Sequence, residues 1–112
     1  MINYNNRVFV VVSNSGNGVL DSDTMFIYQQ EGNIVICSYS GKNIIKGQLI
    51  ALVGGNGHLD MRYHQINVKG ELMTGTCSST PELMEGNKIR LHEKWKWTSG
   101  DYSEGNSILE EQ

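Results

Sequence analysis

A single proline stands among 112 residues, so almost nothing in the chain forbids long, unbroken strands. Two cysteines, Cys37 and Cys77, lie too far apart for a zinc motif, while a disulfide between them is open in geometry and disfavoured by the expected compartment. They read as reduced thiols, and the cytoplasm is the expected compartment. No run is long and apolar enough to span a membrane, and Met1–Arg7 lacks the apolar core of a signal peptide. A net charge of −3 with acids and bases interspersed leaves no basic block, which excludes nucleic acid as the expected partner. Helical periodicity is missing too: no stretch sustains it over ten residues. Neither an internal repeat nor a low-complexity segment is visible. His58, His64 and His92 fall at no diagnostic spacing, so neither a metal nor another cofactor is expected.

What the chain has in quantity is glycine, 13 residues that sit mostly in turn-like dipeptides between apolar runs. The spacing predicts one domain over residues 1–112, all-β, built from about eight strands. They are Arg7–Ser13, Thr24–Gln30, Asn33–Ser40, Ile44–Val53, His58–Val68, Glu71–Ser78, Lys88–Thr98 and Asn106–Glu111. Turns fall at Asn14–Gly18, Glu31–Asn33, Ser40–Asn43, Gly54–Gly57 and Lys69-Gly70, and at most one helical turn is expected within Ser79–Asn87, with Thr80 as its cap and Pro81 at its first position. The apolar run of the first strand predicts a strand covered on both faces. Consecutive antiparallel strands with short connections make an up-and-down meander. Closing it into a small barrel removes two raw edges, and eight strands suit a barrel that holds side chains or one small ligand.

Lys88–Thr98 orients the rest. Lys88, Arg90, His92, Lys94 and Lys96 alternate with Ile89, Leu91, Glu93, Trp95 and Trp97, a period of two that separates a wet face from a buried one. Glu93 is the one carboxylate on the buried side. Desolvation between Leu91 and the tryptophans would raise its pKa and suit it as an acid, a base or a ligand partner. A structural carboxyl satisfied by a neighbouring Arg, Tyr or indole N–H is the plainer alternative. The same orientation turns Leu59, Met61, Tyr63, Gln65 and Asn67 inward and His58, Asp60, Arg62, His64 and Ile66 outward. In the fourth strand it turns Ile45, Gly47, Leu49, Ala51 and Val53 inward. In the second strand either Phe26 and Tyr28 or Met25 and Ile27 face in.

An inner set mixing apolar bulk with Glu93, Trp95, Trp97, Tyr63 and Gln65 resembles a ligand pocket more than a pure core, because each buried polar group needs a partner. A small organic molecule is therefore the expected partner, in a cavity of a few hundred cubic ångströms. A bulge in the fifth strand would bring Arg62 into the same pocket. Three functions remain open: a binding barrel, a small enzyme using Glu93 with Arg62 or His64, and an interaction module meeting a partner through a strand face. Whether any catalysis occurs, and the oligomeric state, are not legible.

Several strings together carry a family likeness. They are Gly47–Ile50, Asp60–Gln65, Gly70–Gly75, Ser79–Glu82, Ile89–Glu93, Trp95 and Trp97–Asp101. From about Asn3 to Glu111 the chain resembles a family of small bacterial proteins often labelled "N-acetylglutamate synthase". The resemblance implies that label and a small all-β domain. The residues themselves lack what an acetyltransferase of the common type requires. Its pyrophosphate-binding turn opens a helix, whereas the nearest string, Gln29–Ile34, lies in a hairpin and lacks the last small residue. By pattern the architecture also looks like the calycin group, the lipocalin-like barrels that bind small ligands.

Overall fold

The computed structural model of the chain describes residues 2–15 and 24–112; the turn residues Gly16, Asn17 and Gly18 lie outside them. Among the described residues nine strands follow in order: β1 Val8–Asn14, β2 Met25–Ile27, β3 Gln29–Glu31, β4 Ile34–Tyr39, β5 Ile44–Val53, β6 Leu59–Asn67, β7 Leu72–Leu83, β8 Ile89–Trp97 and β9 Glu104–Glu111. All pairings are antiparallel, and the sheet runs β2-β1-β9-β8-β7-β6-β5-β4-β3. The two strands at its ends, β2 and β3, are separated in the chain by Tyr28 alone. One extended stretch thus pairs with β1 through its first half and with β4 through its second, bending the meander into a nearly closed barrel. The expected second strand exists as that stretch, broken at Tyr28 where it changes partner.

Short turns with left-handed residues set the lengths of the walls. Gly54–Gly57 and Met84–Asn87 both wrap a short 3-10 turn. Asn56 and Gly57 have φ of 59° and 79°, and Gly86 and Asn87 have φ of 74° and 62°. Asparagine and glycine tolerate that region best.

Four local expectations are corrected. β5 is bulged: its register skips Ile45 between the pairs Ile44↔Asn67 and Lys46↔Ile66. Ile44 is buried and Ile45 faces solvent, the reverse of a regular alternation. The single turn within Ser79–Asn87 is a 3-10 turn at Glu85–Asn87 and does not start at Thr80-Pro81, because β7 continues to Leu83. Pro81 falls where β7 has outrun its last pair with β6 (Leu59↔Ser79) and become an edge, the place in a sheet that tolerates proline. β1 is not covered on both faces: Phe9 and Val11 are buried, but Val12 is exposed, because a barrel wall has a wet outside. Finally, β9 begins at Glu104, ahead of the expected Asn106.

One end of the barrel is plugged by the N-terminal segment. Tyr4 is fully buried, and its hydroxyl donates to Gly57 O at 2.5 Å. Its ring packs with Phe9 and Tyr28 at centroid distances of 6.4 and 6.1 Å. Gly57 has a φ of 79°, and a Cβ there would also crowd Ile2 Cβ and Pro81 Cγ at 3.2 Å, so the plug favours glycine at this position. The outer face of β4 and β5 carries exposed Ile34, Ile36, Ile50 and Leu52 as cross-strand neighbours. Among the described residues no helix is long and apolar enough to cross a membrane.

Candidate ligand pocket

β8 builds the pocket wall with the alternation read from its sequence. Ile89, Leu91, Glu93, Trp95 and Trp97 are all buried, while His92, Lys94 and Lys96 are exposed. Arg90 lies on the outer side with Nη2 2.7 Å from Glu110, and His92 Nε2 lies 2.7 Å from Glu82. The basic stripe is therefore held outside the barrel, partly by its own ion pairs.

Three inward-facing glycines shape the interior. Each stands directly across a strand pair from an aromatic residue: Gly47↔Tyr39, Gly75↔Tyr63 and Gly105↔Trp95. A Cβ at Gly47 or Gly75 would overlap the facing tyrosine ring, and one at Gly105 would come within 2.5 Å of Trp95 Cζ2. The missing side chains let each ring lie against the neighbouring strand where a Cβ would otherwise stand. Tyr63 then meets Trp97 edge to face at 5.3 Å, Trp95 meets Trp97 at 6.3 Å, and Phe26 packs on Tyr39 at 4.9 Å.

Between these rings lies a cavity of about 50 Å³, with walls that include Glu93, Trp95, Trp97, Tyr63 and Gln65. Those five predicted residues are brought together. The volume falls well short of the few hundred cubic ångströms expected, because Tyr28, Tyr39, Met61 and Leu49 also fill the barrel. A space of this size holds water or one small head group. Arg62, the sixth predicted residue, is not there. β6 has no bulge, so Arg62 keeps its outward alternation, with its side chain 62% exposed and Nη1 2.7 Å from Asp60. His64 is outside as well, 3.2 Å from Gln48 Oε1. The pairing of Glu93 with Arg62 or His64 as acid and base is therefore absent.

Glu93 sits in a row of small hydroxyls, directly across from Ser79 on β7 and Ser107 on β9. Ser107 is already engaged: it accepts from Trp95 Nε1 at 2.8 Å and donates to Asn14 Oδ1 at 2.7 Å. That relay uses up the indole N–H of Trp95, so its contribution to a ligand is its ring face. Ser79 makes no well-formed hydrogen bond, yet it lies near enough to the Glu93 carboxyl to favour the charged form slightly. Burial outweighs it and pushes the Glu93 pKa up to about 7. Tyr28, Tyr39, Tyr63 and Cys77 all feel that carboxylate, and burial together with its charge holds each of them protonated.

Two buried polar atoms on the wall lack a partner among the described residues: the Tyr28 hydroxyl and Gln65 Nε2. Gln65 Oε1 accepts from the Tyr39 hydroxyl at 2.9 Å, which fixes the amide. A buried donor left without a partner costs about 1–3 kcal/mol unless water or a ligand meets it. Tyr39 was not legible as a site residue, and Tyr28 was one of two open choices. Both reach the pocket through pairing register, which a single sequence does not display. Cys37 and Cys77 are free and buried, Cys37 with its thiol pushed up to about 12 by burial. No group of three or more His, Cys, Asp or Glu side chains that could hold a metal occurs among the described residues.

An antiparallel, nearly closed up-and-down barrel with an aromatic interior and a few buried polar groups is a calycin-like barrel. Within that class, a family model described as Avidin-like protein matches residues 2–112, and the chain belongs to that family. No curated protein and no solved structure matches the chain. The N-acetylglutamate synthase label has no counterpart in the family match. Nor do the described residues contain the strand-to-helix turn that acetyl-CoA binding of the common type needs.

Proposed function

We propose that the protein is a non-enzymatic, cytoplasmic binder of a small organic molecule, whose head group enters the barrel beside Glu93. One observation carries the reading: a desolvated carboxyl, a free Gln65 amide N–H and a free Tyr28 hydroxyl line one cavity walled by aromatic rings. A core needing only stability would avoid three such groups, since apolar side chains would fill the space without a desolvation cost. Avidin-like proteins bind small molecules, biotin among them, which is compatible with this use of the barrel. The small volume restricts the enclosed part of the ligand to a few heavy atoms, with the remainder at the mouth. The two free buried thiols suit a reducing compartment.

Native mass spectrometry of the purified full chain tests the proposal. A bound small molecule is expected to be lost in Glu93→Gln and retained in Arg62→Ala, since Arg62 lies outside the barrel. Loss in Arg62→Ala with retention in Glu93→Gln would move the site to the outer wall and end this reading.

A further inference from the structure

The pocket has a sign. Among the described residues that line it, Glu93 is the only carboxyl and none is Lys, Arg or His. The basic side chains of β8 project from the opposite face of the strand. The other ionisable groups near Glu93 are Tyr28 between β2 and β3, Tyr39 on β4, Tyr63 on β6 and Cys77 on β7. Cys37, also on β4, touches the same electrostatic network through Tyr28 and Tyr39. Every one of these groups is neutral or negative and can offer no positive charge. Among the described residues the carboxylate thus has no counter-ion.

The rest of the wall is aromatic. Phe26, Tyr28, Tyr39, Tyr63, Trp95 and Trp97 surround the space. The negative faces of such rings attract a cation within about 6 Å of a centroid, most strongly where water is excluded. The Trp95 N–H is turned away to Ser107, so that ring contributes its face rather than a donor.

Resting on the binding function proposed above, we infer that the ligand's head group is a small organic cation, an ammonium or guanidinium type. It would be held between the Glu93 carboxylate and the aromatic cage, with the Tyr28 hydroxyl accepting from it. The free Gln65 N–H then serves an oxygen of the ligand beyond the charge, or a water. A neutral head group would leave the carboxylate either protonated or buried and uncompensated. A cation removes that cost and restores the charged form.

The linked proton makes the idea measurable. Glu93 holds a proton up to about pH 7 in the empty pocket, and a cation must displace it. Binding of a permanently charged cation is then expected to be about tenfold tighter at pH 8 than at pH 6. The test titrates the full-length protein with guanidinium and tetramethylammonium chlorides, and with their neutral near-isosteres urea and tert-butanol. It follows the two tryptophan indole resonances by NMR at matched ionic strength. Saturable shifts from a cation, strengthening from pH 6 to pH 8 and abolished in Glu93→Gln, are the expected result. The pH dependence of the wild-type protein gives the answer even if that variant does not fold. Urea or tert-butanol binding as well as the cations, or better at pH 6, would overturn the cation while leaving a small-ligand pocket in place. No saturable shift from any of the four would overturn it as well, and the mass-spectrometric experiment then decides separately whether the barrel binds anything.

Discussion

At the scale of single residues, Glu93 is a carboxyl that burial holds away from the charged form it prefers in water. In the unfolded chain its carboxyl loses the proton near the ordinary 4.5, whereas burial in the folded barrel moves that to about 7. Between these values the folded state binds more protons than the unfolded one, so stability must fall as pH rises. The contribution is fully present below the unfolded value and is lost as pH passes through the folded one. From pH 5 to pH 8 this group alone is expected to remove about 2–3 kcal/mol. Glu93→Gln keeps the shape of the protonated acid and abolishes the loss. Urea unfolding of both proteins at both pH values checks this: the variant should be the more stable at pH 8, and the gap should narrow at pH 5. Equal slopes with pH for the two proteins would mean that the carboxyl reaches water.

At the scale of elements, legibility followed chemical contrast. β8 declared both of its faces because lysines alternate with apolar residues, and the structure keeps that assignment from Ile89 to Trp97. β6 repeats it, with Leu59, Met61 and Gln65 buried and Asp60, Arg62 and His64 out. β5 misled because Ile44 and Ile45 are the same residue type, and a one-residue bulge leaves no mark in so uniform a pair. The glycine–aromatic pairs were illegible for a different reason. Gly75 and Tyr63 are twelve positions apart in the chain, and their meeting depends on strand register. Those pairs nevertheless shape the cavity, and they can be tested through Gly75→Ala. The added methyl must displace the Tyr63 ring, for a cost of about 1–3 kcal/mol as in other overpacked sites. In a Tyr63→Ala background the same substitution should cost much less, and denaturant midpoints of the four proteins in the cycle measure the coupling. Additive effects would show that the ring and the glycine do not constrain each other.

At the scale of the whole molecule, the barrel is unevenly closed. The long strands β6, β7 and β8 share eight pairs across one boundary and nine across the next. Among the described residues the closing stretch holds β1 by three pairs through β2, and β4 by three through β3. Around the change of partner, Tyr28 keeps two further backbone bonds, its N–H to Arg7 O at 2.9 Å and its carbonyl from Asn6 N–H at 2.8 Å. Its ring is fully buried and packs at a tilt against Phe9 at 4.9 Å, so a side chain supplements the short ladder at the seam. Opening there needs fewer hydrogen bonds to break than opening anywhere along β6–β8, and regions of that kind open sub-globally at lower free energy. Native-state hydrogen exchange should therefore show the Tyr28 amide exchanging through a partial opening. Amides paired along Met61, Cys77 and Trp95 should exchange only with global unfolding. The same seam carries Phe26 and Tyr28 to the cavity wall, so a ligand that fills the cavity touches both sides of it. Saturating ligand should raise the protection of the Tyr28 amide more than it raises that of Cys77. If Tyr28 is already as protected as Cys77 in the free protein, the seam is no weaker than the walls, and the ligand must enter past the mouth without any opening there.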